Sequence, residues 1–422
     1  MSSFIRTPFK SDGLETDPIA YGLRPEELRL GLAQLLNDKS ILITGFRGIG
    51  KSSFCYQLQN VLIGDKTLLD RCCIKTDINK YIIVNYTCTP NDTLESIILL
   101  IVNLLKEKEE YFREKNKIGV KEFNVKLFGM FEVKLEEEKT KQSKFTSLTT
   151  NFINLISEFA QVYVNPHINI SIDELDQVES KVNLSHFIKN VLEQLDRKSQ
   201  RFLSFILVGQ NILFDLLYSN QPAFHRLFKH IRLMPLDEEN ASYVIDACLK
   251  RSGKNIIIEN DAMDIFLGLT NGYPYSIQLL GDESFNSMLT RCNYSNESLE
   301  IQLVDVVAGL KNIHICEEQR YKIIIDELLP IEKSCIFAIA NTKIVKKLPL
   351  KFQVKDIEEG LSIDMECERK TEAKNIILSL LEKQIIIEND TQLGNEKQYS
   401  FQEEIFRTYL FYRINNKDKI KF

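Results

Sequence analysis

The fold is decided by Ser40-Ile41-Leu42-Ile43-Thr44-Gly45-Phe46-Arg47-Gly48-Ile49-Gly50-Lys51-Ser52-Ser53. The first five residues make a short buried strand. The next eight fit the phosphate-loop pattern GxxxxGK[ST]. Glycines allow the backbone twist that aims successive N–H groups at one point. The helix opening after them adds the positive end of its dipole. Gly45, Arg47, Gly48, Ile49, Gly50, Lys51, Ser52 and Ser53 are therefore candidate nucleotide-binding residues. Lys51 would reach the β- and γ-phosphates, and the Ser52 hydroxyl would ligate a magnesium ion. ATP and Mg²⁺ are the expected ligands. The competing reading, an ordinary glycine-rich turn, has no need of the strand before it and the helix after it.

Outward from the loop, continuous apolar runs recur at 81–86, 168–172 and 202–208, with helical patterns at 93–105, 145–159 and 182–195 between them. Apolar strands alternating with helices predict an α/β fold, a parallel sheet covered on both faces. A phosphate loop needs an acidic partner on a neighbouring strand, and Asp173 and Glu174 end the run at 168–172. Asp173 would hold Mg²⁺ through water, and Glu174 would polarise the attacking water as general base. The bland alternative is a pair of helix-capping carboxylates. Asp176 is expected only to cap the following turn. The next strand ends in Gly209-Gln210-Asn211, where Gln210 first, and Asn211 second, is placed to orient water near a γ-phosphate. Arg226 is preferred over Arg232 as an arginine reaching a neighbouring subunit's γ-phosphate, because Arg232 falls in an edge strand. A solvated surface arginine is the alternative.

The chain divides into a polar tail (1–20), the phosphate-loop core (21–235), an all-helical domain without strands (236–328) and a last domain (329–422). Within the core, 106–144 is dense in charge and carries Phe123, Val125, Leu127, Phe131, Val133 and Leu135 at period two. This predicts an inserted β-hairpin or long strand turning near Gly129, either a solvated excursion or a partner or oligomer contact. In the helical domain, helices are expected at 260–269, 275–289 and 297–310. The last domain reads helix, helix, helix, hairpin, helix, the order of a winged helix.

Composition narrows the function classes. The 422 residues carry 53 Lys+Arg against 59 Asp+Glu, a net charge of −6, which excludes a strongly basic nucleic-acid coat. The longest apolar stretch, 97–102, is far short of a membrane span. No apolar leader opens the chain, so a cytoplasmic protein is expected, with no membrane partner. The nine cysteines and five histidines show no metal-binding spacing, which fits free thiols in a reducing compartment.

Taken in order, Tyr21-Gly22-Leu23-Arg24-Pro25-Glu26-Glu27-Leu28, the phosphate loop, Asp173-Glu174, Gly209-Gln210, Leu233-Met234-Pro235-Leu236 and Thr270-Asn271-Gly272-Tyr273-Pro274-Tyr275 form a set. It resembles the AAA+/STAND-type ATPases related to origin-recognition initiators and transposition regulators. The resemblance implies an AAA+-like P-loop NTPase core, a helical lid at 236–328 and a C-terminal winged helix. It implies that Pro274 packs near the adenine, and that the chain self-associates on ATP binding. Two departures stand out: Gly22 sits one place early in its box, and no arginine follows Gly272-Tyr273-Pro274-Tyr275. The second implies slow hydrolysis and a nucleotide switch. Such a switch would act on a protein effector or DNA, with mobile-element or anti-phage defence the role typical of stand-alone bacterial members. The alternatives are a DNA-binding replication or transposition regulator, and a non-hydrolysing nucleotide-bound scaffold.

Residues 331–422 hold 16 Lys+Arg and 15 Asp+Glu. The third helix carries Arg369, Lys370, Lys374 and Lys383, but also Glu366, Glu368, Glu372 and Glu382 nearby. A DNA-reading helix usually presents an uncompensated basic face. Protein docking and DNA binding therefore both stand, with Lys417, Lys419 and Lys421 as further phosphate contacts.

Overall fold

The computed structural model describes residues 6–76, 81–116, 141–162, 167–179, 181–198, 200–220, 224–292, 299–341, 350–361, 369–389 and 397–415. The chain divides into two compact units, Leu23–Met234 and a second made of Met1–Gly22 with Pro235–Phe422.

The first unit is built on five strands: β1 (Ser40–Thr44), β2 (Tyr81–Thr87), β3 (His167–Asp173), β4 (Leu203–Gly209) and β5 (Phe228–Arg232). They form one parallel sheet in the order β2-β3-β4-β1-β5. Every residue of β1 and β4 is buried, as continuous apolar strands in a doubly covered sheet must be. Parallel neighbours need crossovers, and the helices Lys51–Leu62, Leu94–Asn116, Lys141–Val162 and Lys181–Arg197 lie in those connections. Inside the sheet, Asn169 and Ser204 sit opposite each other in register. The Asn169 amide donates to Ser204 Oγ at 2.9 Å and accepts from Gln59 Nε2 at 3.2 Å. A buried polar group loses several hydrogen bonds if its strand slips by one residue, so this network favours a single register.

The charged stretch corrects one expectation. Residues 106–116 continue the helix Leu94–Asn116, and 141–144 open the helix Lys141–Val162. Alternating Lys and Glu are good helix formers, and they extend a helix already nucleated by Leu94–Leu105. The period-two run at 123–135 lies outside the described residues.

The second unit overturns the expectation of an N-terminal tail. Phe9 is buried with Ile277 and Leu280, and a Cβ placed on Gly281 would lie 2.3 Å from its ring. The Lys10 N–H donates to Gln278 Oε1 at 2.7 Å, and Arg251 donates to both carboxylate oxygens of Glu15 at 2.9 Å. One aromatic residue has no periodicity to betray it, and its pocket is supplied from over 200 residues away. The unit also contains two strands where none were expected. β6 (Ile256–Ile258) pairs in parallel with β7 (Leu299–Ile301). The helix expected at 297–310 begins only at Leu303. Asp305, 1% exposed, accepts from the Gln302 N–H and from Arg291, which sets that start. A further helix, Glu318–Asp326, had no counterpart in the sequence reading.

Beyond Pro330 come the helix Pro330–Asn341, β8 (Lys351–Phe352), and the helices Val354–Leu361 and Arg369–Glu382. β9 (Ile386–Asn389), β10 (Gln398–Phe401) and the helix Glu404–Asn415 follow. β8, β10 and β9 make an antiparallel sheet with β10 in the middle. Two-residue β8 is too short to leave a periodic signal. Tyr321, Ile336, Leu380, Phe401 and Leu410 lie in the core. Among the described residues, no helix is long and apolar enough to cross a membrane.

Candidate nucleotide site

The C-terminal ends of the strands bring the expected residues to one edge of the sheet. Thr44 of β1 pairs with Gly209 of β4, and Ile172 of β3 with Leu207 of β4. The phosphate loop, Gln210 and Asp173 therefore stand side by side. One expectation needs correcting: the acidic strand is not adjacent to β1, because β4 lies between them. At about 4.8 Å per strand, the two tips are roughly 10 Å apart. That gap suits a carboxylate that reaches a metal through water better than one that touches the phosphates.

The loop has the backbone of a phosphate cradle. Gly48 and Gly50 have φ of 80° and 90°, where an L side chain is strained. Gly45 is needed for space, since a Cβ there would meet Ile49 Cγ2 at 2.7 Å. Gly50 caps the helix Lys51–Leu62 with no side-chain hydrogen bond to its first turn. An uncapped first turn is a ready anion site. Lys51 folds its ammonium over the loop, donating to the carbonyls of Gly45 at 3.1 Å and Phe46 at 2.9 Å. Burial lowers its pKa, and Asp173, Asp176 and Glu174 oppose that effect in this order. The negative charges that bear on the lysine are thus carboxylates of β3 and its following turn. Ser52 and Ser53 follow on the same half-exposed first turn, and Arg47 is exposed on the loop.

Two residues not singled out for this site brace it. Arg24, 6% exposed, donates to Met234 O at 2.5 Å and to Ile49 O at 3.2 Å. It fastens the loop to the chain leaving β5. The box around Gly22 and Arg24 was the available signal, but its role was not legible without the partners. Asp176 does more than cap a turn. Its Oδ1 accepts the Gln210 N–H at 3.0 Å, and a Cβ on Gly209 would lie 2.9 Å from that same oxygen. Asp176 ties the tip of β4 to the turn after β3, and Gly209 makes the approach possible.

Glu174 occupies a left-handed backbone position with φ of 54°, a conformation that collects at functional sites. Its N–H donates to Asp173 Oδ1 at 2.7 Å, and its exposed carboxylate accepts from Gln177 Nε2 at 2.6 Å. The general-base candidate is therefore held by Gln177 in this conformation. Asn211 begins the helix Asn211–Asn220, with its Oδ1 buried and unpartnered among the described residues.

Arg226 is not brought to this edge. It is exposed on the short helix Phe224–Leu227, before β5, and Phe228 pairs with Ser40 at the opposite end of β1. Four residues of strand put it more than about 13 Å from its own phosphate loop. Arg232, exposed and paired with Thr44, is the arginine nearest that loop on β5. Pro274 lies in the second unit, at the first turn of the helix Pro274–Arg291, after the Asn271-Gly272 turn with φ of 47° and 68°. Gly272 admits no side chain, since its Cβ would lie 1.9 Å from Leu236 O.

Solved structures share this architecture end to end. The Walker-type ATPase PABY2304 of Pyrococcus abyssi matches with a TM-score of 0.56 at 15% identity, over 97% of this chain and 99% of that one. The ORC2 protein of Aeropyrum pernix, solved as ADPNP–ADP complexes, matches with a TM-score of 0.54 at 11% identity, over 93% of both chains. No protein-family model matches the chain, and the comparison with curated proteins finds no match. At these identities the likeness speaks for the fold alone: a mixed α/β structure with a five-stranded parallel sheet.

Proposed function

We propose that this protein is an ATP-binding, slowly hydrolysing switch that assembles when nucleotide is bound. The observation that carries the reading is the loop itself. Gly48 and Gly50 at positive φ, an uncapped helix N-terminus and Lys51 folded over the loop carbonyls converge on one edge. The ADPNP–ADP complexes of the Aeropyrum pernix protein support the choice of an adenine nucleotide.

Lys51 exchanges its two loop carbonyls for phosphate oxygens. Ser52 and Asp173 supply the hydroxyl and carboxylate that a Mg²⁺ ion requires, Asp173 through water. When bound, that ion offsets charge on the β- and γ-phosphate oxygens. Asp173, one strand removed from the loop, fits this donor set. Glu174 takes a proton from the attacking water, with Gln177 bonded to one of its two carboxylate oxygens. The missing arginine after Pro274 favours slow turnover. Gln210, with its backbone held by Asp176, orients the water. Arg226 is too far below its own loop to act in cis, so any catalytic role belongs to a neighbouring subunit's site.

The segment 329–422 is read as a winged helix that passes the nucleotide state to a protein effector or to DNA. Of the cations on and just after the helix Arg369–Glu382, Lys383 is held by Glu332, which leaves Lys374, exposed, with Arg369 and Lys370 in sequence before it. So small a set favours a protein effector, with weak DNA binding through about two to four phosphates the second reading. A cytoplasmic role in mobile-element control or anti-phage defence rests on the sequence resemblance.

Calorimetry with ATP and ADP tests the core claim. The expected result is binding by the unmodified protein and at least about a 100-fold loss in Lys51→Ala, since the point charge on the phosphates is gone. Equal affinity in the two proteins would remove the loop as the nucleotide site.

A further inference from the structure

We infer that His230 is a positioning residue of the proposed ATPase site, setting the phosphate loop against the tip of β4 that carries Gln210. The inference rests on the reading of the loop as the nucleotide site, and every residue it uses lies within Leu23–Met234. His230 Nε2 lies 2.7 Å from Thr44 Oγ1, across 186 residues of sequence. Thr44 is fully buried, and it is the last residue of β1, directly before Gly45. The imidazole also stacks on Phe214, with ring centres 4.0 Å apart and planes 9° from parallel. Phe214 belongs to the first turn of the helix Asn211–Asn220, which starts directly after Gln210. One side chain of β5 thus touches both the root of the phosphate loop and the helix that opens after Gln210.

The register shows why such a bridge is needed. The ladder between β1 and β4 ends at Thr44 and Gly209, so Gly45 and Gln210 lie just past the last paired residues. Backbone bonds stiffen each end by itself. Thr44 O accepts the Leu233 N–H at 2.8 Å, Gln210 O accepts the Leu213 N–H at 3.0 Å, and the Gln210 N–H is held by Asp176. His230 joins the two ends. Burial, then Arg232, lowers its pKa below the ordinary 6.5, while Asp215 opposes and Lys229 adds to the effect. The ring is therefore neutral at pH 7, with one nitrogen to donate and one to accept. A phenylalanine would stack on Phe214 without that desolvation, and a valine would fill the place of Thr44. Having histidine and threonine instead points to the bond between them as the reason for both. His230 touches no reacting atom in this reading and acts through Thr44 and Phe214.

ATPase assays and calorimetry on the full chain test this role. His230→Phe keeps the stack on Phe214 and deletes the bond, and Thr44→Val deletes it from the other side at nearly equal volume. Each should lower kcat about fivefold, the scale of one hydrogen bond, while ATP affinity stays within about twofold. The double variant should be no slower than either single one, because both remove the same contact. His230→Gln, which keeps a nitrogen in reach of Thr44, should recover part of the rate. A control at the opposite end of the sheet, Tyr81→Phe, removes a bond to Leu35 O and should lower the melting temperature without moving kcat. If the single variants turn over like the unmodified protein, if affinity falls in step with kcat, or if the two losses multiply in the double variant, His230 is a packing residue only and the nucleotide site stands. If the unmodified protein neither binds nor hydrolyses ATP, both readings fall together.

Discussion

The two ends of the five-stranded sheet are made from the same kind of strand and finished in opposite ways. At the N-terminal end, side chains seal the edge. The Tyr81 hydroxyl donates to Leu35 O at 2.8 Å, His167 Nδ1 meets Asp38 Oδ1 at 2.6 Å, and the two rings stack at 5.1 Å. At the C-terminal end the loop is left uncapped, Lys51 is bonded among the described residues to carbonyls it can release, and Glu174 sits at positive φ. One end uses polar groups to hold the fold, and the other carries the proposed nucleotide site. The contrast predicts that substitutions at the open end change nucleotide chemistry with little effect on stability, and that those at the sealed end do the reverse.

The sharpest way to break this contrast is at Glu174. Glu174→Gln should keep ATP bound and slow single-turnover hydrolysis by about 10²-fold, the usual scale for a lost general base. Because Glu174 is exposed in a strained position, the melting temperature should hardly move. Unchanged turnover would make the carboxylate structural. A smaller effect is expected at Asp176. Removing the acceptor of the Gln210 N–H in Asp176→Ala should slow turnover about tenfold with near-normal ATP affinity, as loss of one charge-assisted hydrogen bond implies. Asp176→Asn keeps an oxygen and should recover most of that rate. If affinity collapsed instead, Asp176 would belong to the binding set and not to the positioning of Gln210.

Arg226 extends the comparison to assembled subunits, since it stands at the sealed end of its own sheet. Arg226→Ala should lower turnover without changing monomer affinity. Mixing it with Lys51→Ala should restore turnover a few-fold, because each variant lacks a different half of a shared site. Absence of rescue in co-assembled, folded mixtures would leave Arg226 a surface arginine.

The smallest effect belongs to the sealed end and depends on pH. The hydrogen bond to Asp38 raises the His167 pKa above its ordinary 6.5, outweighing burial, which lowers it. A raised folded value means that the pair's stabilisation is fully present below about pH 6.5 and is lost as pH rises through the folded value. Asp38→Asn, which tolerates the left-handed backbone at φ 55°, should cost about 1–2 kcal/mol at pH 6 and less at pH 9. Chemical denaturation at the two pH values measures this, and nucleotide affinity should be unaffected. A pH-independent loss would mean that the pair does not act through charge.

Local rules were enough where contiguous backbone decides the shape, as in the loop with Gly48 and Gly50 at positive φ. A phosphate loop is written in consecutive residues, because its glycines, lysine and helix start must be contiguous to surround one anion. Continuous apolar strands likewise announce a doubly covered sheet, and β1 was read to the residue. What the tertiary structure decided has a common physical cause: side chains meeting across long separations. The strand order put β4 between β1 and β3 and so set Asp173 one strand away from the loop. Packing against Gly281 turned an aperiodic Phe9 segment from an expected tail into part of the second unit's core. The register of β5 placed Arg226 at the far end of its sheet. Hydrogen bonding gave Asp176 a second strand to hold and joined Thr44 to His230. A hydrogen bond acts over about 3 Å whatever the distance along the chain. Sequence spacing carries no record of it until the fold closes.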